Sequence, residues 1–128
     1  MPHKVVYDPE GGCIKAWNSG RFDEGVAREI AAGVTQALST SDCKRVLIDL
    51  RESELALSIV DLYRASRMAS AAGIPRSIKR AIIVPKENLV AYDLFKMVSQ
   101  NIGKGVRAFT DPDEAIRWLM GQTAKMCF

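Results

Sequence analysis

RVLIDLRES, residues 45–53, sets one carboxylate, Asp49, inside an apolar run of Val46, Leu47, Ile48 and Leu50. An acid so placed can act as a general acid or base, as a metal or ribose ligand, or simply as the polar residue on the less buried side of a sheet. Proton-transfer and nucleophilic chemistry both need a second titratable group within reach. The chain has a single histidine, His3, in a terminal segment expected to be mobile. Metal binding needs clustered donors, and Cys13, Cys43 and Cys127 are scattered, with no CxxC or zinc-type spacing. The acids Glu10, Asp23, Glu24 and Glu29 read as surface residues. Phosphate loops are missing too: Gly11-Gly12 falls in a predicted hairpin, and Gly103-Lys104-Gly105 precedes a strand instead of opening a helix. The chemistry-bearing residues therefore predict no catalytic residue, no metal and no cofactor. Alternation places Asp49 on the face opposite Val46, Ile48 and Leu50. There it is expected to pair with Lys15 or a basic residue at 79–80, or to accept N–H groups from a turn at Arg51–Ser53.

The elements that must position these residues follow from periodicity. Lys4–Tyr7, the turn cluster Asp8-Pro9-Glu10-Gly11-Gly12 and Cys13–Trp17 read as a β-hairpin. Phe22, Val26, Ile30, Val34 and Leu38 recur every fourth residue and write a helix over about 22–39. A strand over 45–50 follows, then a helix over 58–72 that Ser58 and Asp61 start in the manner of a capping box and Gly73 and Pro75 end. A strand at 79–84, a helix at 87–102, a strand at 106–110 and a helix opened by Asp111-Pro112-Asp113-Glu114 complete the chain, with a flexible tail at 122–128. The order is β-β-α-β-α-β-α-β-α over one domain spanning 1–128. Strands separated by helices pair in parallel through right-handed crossovers. The prediction is one α/β domain, a mixed sheet of about five strands with helices mainly on one face.

Composition agrees with a folded domain: 128 residues, 48% hydrophobic and 26% charged, enough for a sizeable core. No apolar run reaches the roughly 18–20 residues of a membrane span, and MPHKVVYD lacks a long apolar leader, so a cytoplasmic protein with free thiols is expected. The net charge of +3 is uneven: residues 62–107 hold nine basic residues against Glu87 and Asp93, while the rest of the chain is net negative. Arg76, Lys79, Arg80, Lys104 and Arg107 gather near the N-terminal ends of two parallel strands, and Arg64 and Arg67 extend that set along a helix. Ligands of open α/β sheets bind at the other end. The basic rim is thus a docking surface for an acidic protein or anionic lipid head groups; nucleic acid is not expected. At the C-terminal ends, Arg51, Glu52, Ser53, Ser58, Lys86 and Asn88 sit in predicted loops that would contact a ligand or partner. A sheet face left partly open, with Trp17 and Leu47 on it, would be the contact surface of a homodimer.

Three segments, KVVYDPEGGCIKAWNSGRF, VLIDLRES and NIGKGVRAFTDPDEAIRWLMG, make the sequence resemble the SpoIIAA-like family, whose fold is shared by STAS and Sec14/CRAL-TRIO domains. The resemblance covers about residues 4–121. It implies a βα superhelix, and it implies that Ser58 falls at the position of the serine that STAS antagonists of anti-sigma factors carry in phosphorylatable form at a helix start. The Asp and the small residue that flank that serine in the family pattern are replaced by Leu57 and Ile59. The implied role is a non-catalytic regulatory module with an unidentified protein partner. The alternative is a carrier of a small hydrophobic ligand or lipid, of Sec14 type.

Overall fold

The computed structural model describes residues 3–10, 12–56, 58, 60, 61, 64, 78–102 and 105–121. They form strands β1 (His3–Asp8), β2 (Cys13–Phe22), β3 (Arg45–Leu55), β4 (Lys79–Ile83) and β5 (Val106–Phe109), and helices α1 (Glu24–Ser39), α2 (Leu89–Ile102) and α3 (Pro112–Leu119). The sheet runs β1-β2-β3-β4-β5, antiparallel only between β1 and β2. Of the helix predicted at 58–72, Val60, Asp61 and Arg64 are helical and Ser58 precedes them outside the helix; its other members, like the tail 122–128, lie outside the described residues.

Steady progression of parallel strands across a sheet puts successive right-handed crossovers on one face. The register makes that face apolar: Ala16, Ile48, Ile82 and Ala108 stand in one row across β2 to β5. Ile30 and Val34 of α1 and Phe95 of α2 close over it, with Ile14, Val46 and Leu50 fully buried beneath. Each such side chain stabilises the fold by roughly 1.5–3 kcal/mol. Asp23 starts α1 by accepting the Val26 N–H at 3.0 Å.

The opposite face is covered in part. α3 lays Ala115 and Leu119 onto Leu47, Ala81, Ile83 and Phe109, with the Trp118 ring 5.7 Å from that of Phe109. Its start is the predicted one: the Asp111 carboxylate accepts the Asp113 N–H at 3.0 Å, with Pro112 in the first turn.

Four sequence expectations are corrected. Phe22 is not on the helix; it ends β2 in the core, at 6% exposure. Leu47 is not open for a dimer, because α3 covers it, whereas Trp17 on the same side is 40% exposed. His3 is not in a mobile terminus but in β1, with Nε2 3.2 Å from the Glu29 carboxylate. Finally, β3 does not end at Leu50; it continues to Leu55, so Arg51, Glu52 and Ser53 are strand residues.

Candidate functional site at the carboxyl ends of the strands

The continuation of β3 is made possible by one extra residue. Trp17 pairs with Asp49 and Ser19 with Glu52, so Asn18 of β2 faces both Leu50 and Arg51. Such a bulge reverses the sidedness of the strand beyond it. Leu50 is buried on the α1/α2 face; after the bulge Ser53 is buried and Leu55 packs on that same face, while Glu52 and Glu54 turn to solvent.

Asp49 supports this irregularity. Its Oδ1 accepts the backbone N–H of Arg51 at 3.0 Å, and its Oδ2 accepts from Arg51 Nη2 at 2.7 Å. Burial alone would push the carboxyl up; the hydrogen bonds from the Arg51 side chain and backbone, with the guanidinium charge, outweigh it and hold the carboxyl below its ordinary value. Lys15, the partner suggested by alternation, binds Asp8 instead at 3.0 Å. Asp49 is therefore an ionised residue committed to its own strand.

Behind the bulge, Asn18 and Ser53 form a polar pair in the core. Asn18 Nδ2 donates to Ser53 Oγ at 2.9 Å, and Ser53 Oγ donates to the Asn18 carbonyl at 3.0 Å. Asn18 is 2% exposed and its Oδ1 has no partner among the described residues. Sequence reasoning missed Asn18, and its one signal was a polar residue at the even, inward position of β2.

Past β3, Ser58 and Asp61 cap each other: the Asp61 carboxylate accepts the Ser58 N–H at 3.1 Å and Ser58 Oγ accepts the Asp61 N–H at 3.2 Å. Ser58 is exposed. Arg64 leaves the predicted basic set; its Nη1 binds Glu24 at 3.0 Å, with Asp61 at 3.8 Å, and so joins this helix start to that of α1. After β4, Lys86 is exposed in a turn closed by the Asn88 N–H on the Pro85 carbonyl, and the Asn88 carbonyl accepts the Tyr92 N–H at 3.1 Å to begin α2. Arg51, Glu52, Ser58 and Lys86 are thus exposed near one end of the sheet, while Ser53 is buried and Asn88 serves the helix start.

The opposite end holds Lys79, Arg80 and Arg107, while Arg67, Arg76 and Lys104 lie outside the described residues. Two cations there have structural work. Lys79 Nζ donates to the Trp118 carbonyl at 3.2 Å and sits 5.1 Å from the Trp118 ring, and Arg45 Nε donates to the Leu119 carbonyl at 3.0 Å. Both satisfy carbonyls at the negative end of α3. Arg45 was not among the sequence candidates. Arg80 is half-buried, and burial lowers its pKa. Arg107 lies over the Phe109 ring at 5.4 Å. Two open grooves, of about 570 and 660 Å³, flank the chain entering β3 here.

Among the described residues, no three His, Cys, Asp or Glu side chains converge as a metal site, and no helix is long and apolar enough to cross a membrane. No family model and no curated protein matches the sequence. Among solved structures, the chain is similar to that described as the anti-sigma factor antagonist SpoIIAA in its unphosphorylated form, with a TM-score of 0.56 and 11% identity over 93% of this chain and 96% of that one. Strand order, crossover face and this coverage together give the chain a SpoIIAA-like, STAS-type fold.

Proposed function

We propose that this protein is a non-catalytic regulatory module that binds another protein through the carboxyl-end rim formed by Arg51, Glu52, Ser58 and Lys86. The observation that carries the reading is the exposed Ser58, reciprocally capped with Asp61 where the chain leaves β3, in a fold like that of an anti-sigma factor antagonist. A phosphate on Ser58 would add about two negative charges at a helix start and would compete with the Asp61 carboxylate for the Ser58 N–H. That competition is a means of switching the rim between two states of charge. Cytoplasmic placement and the basic rim as a second, acidic-partner surface belong to the same reading. The dimer rests on Trp17 alone once Leu47 is covered, and light scattering at high concentration checks it: a strict monomer removes it.

The Sec14-type alternative requires a bound apolar ligand, and the two grooves near β3 are open to solvent. Native mass spectrometry of freshly purified protein separates the readings. The module predicts a ligand-free chain, or one in complex with protein. A stoichiometric lipid or other small apolar mass on the monomer would replace it with the carrier.

A further inference from the structure

We propose that Cys13 and Cys43 form a redox-active pair, a site of reversible disulfide formation driven by a peroxide. Cys13 opens β2 and is buried at 5% exposure in the cluster under α3, and Cys43 packs against that same cluster from the chain entering β3. Cys43 Sγ lies 3.4 Å from the carbonyl oxygen of Gly12 and 3.3 Å from that of Arg45. The Gly12 oxygen and the Cys13 Cα belong to one planar peptide unit and are about 3 Å apart. Cys43 Sγ is therefore within roughly 6 Å of the Cys13 Cα, so a bridge calls for ångström-scale movement. The segment Asp42–Lys44 that would move has no regular secondary structure.

The two thiols differ in a way that assigns their roles. Cys43 lies between Asp42 and Lys44 in the chain and lines both open grooves with them, so a small oxidant reaches it from solvent. Cys13 is enclosed, and burial pushes its thiol up, which suits a resolving thiol and not the first point of attack. In the first step the Cys43 sulfur attacks one peroxide oxygen. The O–O bond breaks, Cys43 becomes a sulfenic acid, and water leaves. In the second step the Cys13 sulfur attacks the Cys43 sulfur, the S–O bond breaks, and a second water carries away the remaining thiol proton. Two thiols are oxidised by two electrons and one peroxide is reduced to two waters; a dithiol reductant reverses the change by exchange. The bridge would tie the start of β2 to the chain entering β3, two residues from the Arg45 that holds the end of α3.

Intact-mass analysis and peptide mapping of the full chain test this, with hydrogen peroxide as the probe. In a Cys127→Ser chain, which carries only these two thiols, peroxide is expected to remove about 2 Da and both alkylatable thiols. The mapped link should be Cys13 to Cys43, with both thiols restored by dithiothreitol. In the unsubstituted chain the same link should dominate, a measurement that depends on no variant folding. Cys43→Ser should abolish the loss and leave Cys13 reducible and alkylatable. The proposal is overturned if Cys43 proceeds to sulfinic acid while Cys13 stays free, if neither thiol reacts, or if the link in the unsubstituted chain runs to Cys127.

Discussion

Asn18 and Ser53, 35 residues apart in sequence, exchange two hydrogen bonds in the core beside the β3 bulge, at 2.9 and 3.0 Å. The pair fixes the register in which β3 resumes after its extra residue, and that register decides which side chains reach the rim. Ser53→Ala leaves the Asn18 amide without its partner, and a buried orphaned group costs about 1–3 kcal/mol. Urea denaturation should show that loss. The double change Asn18→Leu with Ser53→Ala should cost less than the sum of the single changes, because it removes both ends of the pair.

Asp49 is predicted to matter for stability and not for turnover of any substrate. Asp49→Ala removes the acceptor of the Arg51 N–H and should cost about 1–2 kcal/mol, whereas Asp49→Asn keeps a side-chain oxygen and should cost less. The folded carboxyl is held below 3.8, so its stabilising contribution is whole above that value and is lost as pH falls through the lower folded value. Acid titration of unfolding free energy should therefore show a shallower loss below pH 3.8 in Asp49→Asn than in the unsubstituted chain.

At Gly33, α1 packs tightly against Val5 of β1. A Cβ there would meet Val5 Cγ2 at 3.0 Å and Val5 Cβ at 3.3 Å. Alanine gains up to about 1 kcal/mol in helix propensity over glycine, yet Val5 is β-branched and stiff at χ1, so it has little room to yield. Gly33→Ala should lower the thermal midpoint, and adding Val5→Ala should recover part of the loss. A raised midpoint in the single variant would show that α1 can shift away from the hairpin.

Lys79 is predicted to be a structural cation. Lys79→Met keeps the aliphatic stem but loses the bond to the Trp118 carbonyl and the ring contact, which together are worth about 1–2 kcal/mol. Chemical denaturation should register that loss. A larger effect on partner binding than on stability would return Lys79 to the basic docking surface.

The sequence shows the architecture because its periodicities are local. Val46, Ile48 and Leu50 alternate, α1 repeats at Val26, Ile30, Val34 and Leu38, and Asp111-Pro112 announces α3 without any long-range information. The end of β3 was misread for an equally physical reason. A bulge shifts the two-residue period by one, so Arg51 and Glu52 are both exposed and look like the start of a loop. Lys79 reads as a free basic residue, and Arg45 carries no signal in the sequence, because the α3 carbonyls they satisfy come from 39 and 74 residues away. Asn18 was invisible for the same reason: nothing in NSGRF shows that Ser53 lies beside it.

The central claim is that a partner protein is recognised at the carboxyl-end rim. The most direct measurement is quantitative affinity capture from the native cell extract, comparing the unsubstituted chain with a rim variant, Arg51→Glu with Ser58→Asp, and an opposite-end variant, Arg107→Glu, each first shown to be folded by circular dichroism. Aspartate at position 58 keeps a good helix cap while adding charge. A stoichiometric partner is expected to be retained by Arg107→Glu and reduced at least about tenfold by the rim variant, the loss expected from about 1.4 kcal/mol of binding energy. A partner captured equally by the rim variant, or lost only in Arg107→Glu, would contradict it.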